Sequence, residues 1–115
     1  MSIEETLQDL IGRFNERIKE DEKLQNELKG MERSIQIELR DPDGVKHLNF
    51  SLRDMKASNI EEGELTDADI NIISSTESIE RLISGELRPM KAWATGKLKV
   101  KAKNTEDIFR LRKLF

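Results

Sequence analysis

Residues 76–100 read TESIERLISGELRPMKAWATGKLKV, and three small residues punctuate them. Thr76 is placed to cap a helix whose apolar positions are Ile79, Leu82, Ile83 and Leu87. Gly85 interrupts that run, so the helix is expected to end there and leave Leu87 in a linker. Pro89 opens a second helix where its missing N–H costs nothing. Met90 and Trp93 lie three apart on it, and Gly96 stops it. From Lys97 the period becomes two: Lys97, Lys99, Lys101 and Lys103 share one face of a strand, with Leu98, Val100 and Ala102 on the other. The stretch presents an apolar wall and holds no acid–base pair, nucleophile or metal cluster. Such a wall either packs shut or keeps room behind it for an apolar ligand.

The alternation extends upstream. Ile35, Ile37 and Leu39 alternate with polar residues, Asp41-Pro42-Asp43-Gly44 makes a turn suited to a bulged hairpin, and Leu48, Phe50 and Leu52 return. Lys56 to Glu62 is polar and suits a third strand or an edge; Ala68 to Ser74 reads as a fourth, with Ile70 and Ile72 inward and Ile73 on the other face. Thr66 with Asp69 mimics a capping box, but a β-type run follows it. Helices flank this sheet. Ser2 with Glu5 is a capping box, and Ile3, Leu7, Leu10, Ile11, Phe14 and Ile18 form one stripe after it. A short helix follows from about Asp21, with Leu24, Leu28 and a stop at Gly30. Asn104 with Asp107 caps the last helix, whose stripe is Ile108, Leu111, Leu114 and Phe115. The order α-α-β-β-β-β-α-α-β-α around a mostly hairpin-connected, hence mostly antiparallel, sheet indicates an α+β fold.

Composition narrows the function classes. A chain of 115 residues fits one domain, 1–115, with one core. A net charge of −3 with mixed signs gives no reason to expect nucleic acid. Without cysteine there are no disulfides or thiolate metal sites, and no run approaches the ~20 apolar residues of a membrane span. The acidic N-terminus lacks a basic leader, and the final Arg112-Lys113-Leu114-Phe115 is not a peroxisomal signal, so the expected location is cytoplasmic. His47 is the single histidine and lies out of phase with Leu48 and Phe50, on the solvent side. Asp67 with Asp69 suits a turn better than acid–base chemistry, and Gly44 and Gly63 form no phosphate loop. The chain is read as a non-enzyme with no metal and no cofactor.

Three segments carry a family pattern: Ala68-Asp69-Ile70-Asn71-Ile72, Ser84-Gly85-Glu86-Leu87-Arg88-Pro89-Met90-Lys91-Ala92 and Gly96-Lys97-Leu98-Lys99-Val100. In this order they resemble the sterol carrier protein type-2 (sterol-transfer) family. The resemblance implies a five-stranded sheet covered on one side by about five helices, with an apolar tunnel between the layers. It also implies lipid binding without catalysis, the ligand being a fatty acid, acyl-CoA or other lipid. The implied lining is Ile79, Leu82, Ile83, Met90, Trp93, Ala94, Thr95, Leu98, Val100, Phe109 and Leu111, with the terminal helix as gate. Ala102 and Thr95 depart from the family pattern, both at the implied tunnel mouth. The lysine row could touch an anionic membrane, or simply solvate a sheet face. The alternative to a carrier is the same fold with a closed core, acting as an interaction or homodimerisation module.

Overall fold

In the computed structural model, which describes residues 2–114 and the side chains of 2–111, the capping box forms in both directions. The Glu5 N–H donates to Ser2 Oγ at 3.1 Å, and the Ser2 N–H donates to Glu5 Oε1 at 3.4 Å. It starts α1 (Ile3–Glu20), which buries Leu7, Ile11 and Ile18. Asp21 then caps α2 (Glu22–Leu28), accepting from the Leu24 N–H at 3.1 Å. Gly30, at φ +73°, turns the chain into the sheet.

The Asp-Pro-Asp-Gly turn joins β1 (Arg33–Asp41) to β2 (Gly44–Arg53) in unbroken register, from Arg33↔Leu52 to Asp41↔Gly44. The bulge expected there is therefore not formed. Residues 56–62 do make an edge, but in two pieces, β3 (Lys56–Ala57) and β4 (Glu61–Glu62), both paired with β2. This gives six strands where five were expected. The break has a cause in α1. Asn15 donates through Nδ2 to the Ala57 carbonyl at 2.9 Å and accepts the Ala57 N–H at 2.8 Å, while Gln8 Oε1 accepts the Ile60 N–H at 2.8 Å. Side chains take over what a longer ladder would have supplied.

β5 (Ile70–Ser74) runs parallel to β1, from Ile35↔Ile70 to Leu39↔Ser74. The helices α3 (Thr76–Ser84) and α4 (Pro89–Ala94) follow, then β6 (Leu98–Ala102), antiparallel to β5, and α5 (Thr105–Leu114). The order across the sheet is β3-β2-β1-β5-β6 with β4 also on β2, so β6 is an edge. Gly85, at φ +83°, ends α3 as expected, and Leu87 is buried in the linker. The cap of α3 is Ser75, not Thr76: the Ser78 N–H donates to Ser75 Oγ at 3.1 Å. Thr76 instead donates its N–H and hydroxyl to the Asp41 carboxylate, at 2.8 and 2.6 Å, fastening the helix to the hairpin turn.

The inner face of the sheet carries Ile35, Ile37, Leu39, Leu48, Phe50, Leu52, Ile70 and Ile72, and the helices pack on it. One cluster lies under α1 and α2, another joins Leu7 to Ile37, Leu39, Leu48 and Ile79, and a third is Leu87, Ala92 and Leu98. Among the described residues, no helix is long and apolar enough to cross a membrane. The expected side chains of Leu114 and Phe115, and of Arg112 and Lys113, lie outside the described ones.

Candidate functional site

The apolar wall divides into three kinds of residue. Ile79, Leu87 and Leu98 are buried: Leu87 and Leu98 close with Ala92 the space between α3, α4 and the start of β6, whereas Ile79 packs with Leu7, Ile37, Leu39 and Leu48. Leu82, Ile83, Trp93, Val100 and Leu111 are half-buried and pack against the edges of the clusters. Met90 is 69% exposed and Phe109 60%, and Ala94 and Thr95 are exposed as well. These four expected lining residues thus lie outside the wall in this structure. The reason is visible on α4: a helix of six residues sits so close to β6 that the Ala92 methyl, fully buried, fills its inner side, and Met90 turns away.

Ile72 is the residue that sequence reading undervalued. It stands mid-sheet, with Ile37 beside it on β1 and Val100 on β6. It packs against all three clusters, yet it remains half-buried while Ile37 is closed off. Val100 and Ala102 next to it are likewise half-buried although they face the helix layer. Phe14, Phe50 and Ile60 are also half-buried against the cluster under α1 and α2. The inward alternation of the strands was the signal for Ile72; the incomplete cover over it had none.

The polar groups nearby are fixed rather than poised for reaction. Asp107, on the first turn of α5 and 1% exposed, accepts from Arg33 Nε at 2.7 Å, which holds the Arg33 guanidinium above its ordinary pKa against the opposing effect of burial. Asp69 accepts the Ser34 N–H at 2.9 Å, and chiefly for that reason its carboxyl sits below the usual aspartate value. Lys103 pairs with Asp67 at 2.8 Å, which removes it from the free lysine row. Among the described residues, Lys97, Lys99 and Lys101 are exposed and have no ion pair. On the outer face, burial pushes the Glu38 carboxyl up, but bonds from Arg40 and His47 outweigh it and hold it low. His47 is therefore half-buried and engaged, at 3.2 Å from Glu38, rather than solvated. Among the described residues no cluster of His, Asp or Glu is arranged to hold a metal. A cleft of about 1420 Å³ runs along the outer side of α1 into α2, but charged side chains from Glu5 to Lys23 line it, so it offers no wall for a lipid.

The model of the SCP-2 sterol transfer family matches residues 11–115. The chain belongs to that family. Its members bind and transfer lipids and are generally not catalysts. Comparison with curated proteins gives no match. Among solved structures, the SCP-2 chain is similar to palmitated SCP2L2 from Aedes aegypti, with TM-score 0.70 and 17% identity over 99% of this chain and 94% of that one. It is similar to the sterol carrier protein domain 2 of Helicoverpa armigera, with TM-score 0.67 and 22% identity over 95% and 84%. It is also similar to part of an inverting sec-alkylsulfatase from a Pseudomonas species, with TM-score 0.57 and 13% identity over 76% of this chain and 13% of the enzyme. At these identities the likeness is one of fold.

Proposed function

We propose that residues 1–115 act as one domain that shields a fatty acyl chain from water, in an apolar tunnel between α3, α4, α5 and the inner face of the sheet. What carries this reading is Ile72: a mid-sheet side chain at the junction of all three clusters that the helices leave half open, with Val100 and Ala102 beside it. Each methylene placed there gains ~0.8 kcal/mol, so a chain of about a dozen binds well without any precise polar contact. The palmitated relative makes a saturated fatty acid the natural first probe. Leu82, Ile83, Trp93, Leu98, Val100 and Leu111 line the tunnel with Ile79 at its closed end, and Met90, Ala94, Thr95 and Phe109 belong to its rim. No cofactor takes part.

Release needs one helix to leave the sheet. α1 is tied to the sheet edge through Gln8 and Asn15 and buries Leu7, Ile11 and Ile18, whereas the described apolar side chains of α5 are at most half-buried and its buried tie to the sheet is Asp107 to Arg33. We therefore assign the gate to α5. Lys97, Lys99 and Lys101 supply transient contact with an anionic membrane, at ~1 kcal/mol each, and the protein works in the cytoplasm. Native mass spectrometry with organic extraction of freshly purified protein is expected to show a co-purifying lipid. Deleting residues 105–115 is expected to abolish fatty-acid retention while leaving most of the sheet signal.

The second reading is a closed interaction or homodimerisation module. The sealed cluster of Leu87, Ala92 and Leu98, and the occurrence of this fold as a small part of a sulfatase chain, favour it. A clean dimer without lipid would decide for it.

A further inference from the structure

Asp107 is a carboxylate removed from water on a helix whose other described side chains are half-buried or exposed. It sits on the first turn of α5, is 1% exposed, and its Oδ2 accepts from Arg33 Nε at 2.7 Å across 74 residues of sequence. Arg33 stands at the start of β1, and its Nη1 donates to the Glu32 carbonyl at 2.8 Å, so the guanidinium is itself held in place. Arg110, one turn along α5, lies 3.7 Å from the other carboxylate oxygen, Oδ1, which accepts no hydrogen bond. Among the described side chains of the same helix the apolar grip is partial: Ile108 and Leu111 are half-buried and Phe109 is 60% exposed.

We propose that the Arg33–Asp107 ion pair is a latch that holds α5 on the sheet and sets how often that helix opens. The inference rests on the reading of α5 as the gate. An apolar pair of similar volume would hold a helix at least as firmly, so the charges do more than add grip. A small displacement of α5 separates them while Asp107, 1% exposed against 23% for the Arg33 side chain, is still shielded from water, and an unpaired buried carboxylate is the costliest arrangement. A full displacement hydrates both, and much of the cost is recovered. The pair thus disfavours a half-lifted helix and leaves two states, seated and released. Arg33 and Asp107 are positioning residues, and neither needs to touch the ligand.

Three variants test this: Asp107→Asn, Arg33→Lys, and the double apolar change Asp107→Leu with Arg33→Met. Hydrogen exchange is followed on residues 105–111 and on the amides of β1 and β2, and release of a fluorescent sixteen-carbon fatty acid by stopped flow. In Asp107→Asn the amides of α5 should exchange at least about tenfold faster with those of β1 and β2 unchanged, and release should quicken by a similar factor. The double variant should restore protection of α5 and slow release below wild type. Arg33→Lys keeps the charge, should show the same pattern more weakly, and serves should Asp107→Asn fail to fold. If exchange in α5 and in the sheet rise together, the pair is general support for the fold and the latch is refuted. If α5 loosens while release is unchanged, its control over the ligand is refuted. A wild type that retains no fatty acid would sink the carrier reading instead, and the exchange comparison would still decide the latch.

Discussion

Filling the proposed ligand space from the sheet side separates a carrier from a closed core. Val100 is half-buried on the inner face of β6, directly beside Ile72. Val100→Trp adds about seven heavy atoms, which displace on the order of four methylenes of a bound chain; at ~0.8 kcal/mol each the loss is ~3 kcal/mol, roughly a hundredfold in affinity. Because Val100 is not enclosed, the added ring has somewhere to go, and the melting temperature should move little. A closed core behaves in the opposite way. Overpacking it costs ~1–3 kcal/mol of stability, and there is no affinity to lose. The assay is competitive displacement of a fluorescent fatty acid, with a thermal melt on the same samples. Lys101→Trp, on the opposite face of the same strand, is the control and should leave both unchanged. Undiminished fatty-acid affinity in folded Val100→Trp protein would refute the placement of the ligand over Ile72.

Three more outcomes follow from the geometry. Asn15→Ala strands the N–H and carbonyl of buried Ala57, which Asn15 now satisfies at 2.8 and 2.9 Å; a loss of ~2–3 kcal/mol is expected in denaturant unfolding, and no loss would show that water repairs the edge. Asp69 is held below its ordinary value of 3.8, first by the Ser34 N–H, so its contribution to stability is full above that value and disappears as pH falls through the lower folded value. The difference in melting temperature between wild type and Asp69→Asn should accordingly shrink from about pH 5 to about pH 2, and a constant difference would contradict the linkage. Reversing Lys99 and Lys101 to glutamate should weaken binding to anionic vesicles at least about tenfold, given ~1 kcal/mol for each basic group, with neutral vesicles unaffected. Equal binding of both proteins would remove the membrane role.

What could be read from the sequence was local. The alternation at Ile35, Ile37 and Leu39 and at Leu48, Phe50 and Leu52, the box at Ser2 and Glu5, and the stop at Gly85 all reappear where they were expected. Each depends on residues within a few positions of one another. What escaped depends on partners brought close only by folding. The third strand is broken by Asn15 and Gln8, the start of α3 is claimed by Asp41 through Thr76, and Asp107 finds Arg33. Met90 shares a helix face with Trp93 by spacing and Phe109 is lining only by family resemblance, but how α4 and α5 rest on the sheet leaves both exposed. The candidate site is legible to the same extent: inward positions follow from period two, whereas the incomplete burial of Ile72 is set by where the helices rest.

The two rims of the sheet are protected by different means. Amide side chains from α1 occupy one rim, but β6 ends the other with its backbone uncovered by a further strand. Two copies approaching strand to strand along β6 would bring ammonium groups against ammonium groups at Lys99 and Lys101. Like charge along that border therefore opposes such association, which would matter most to a protein that opens its interior to load and release a ligand, as proposed above.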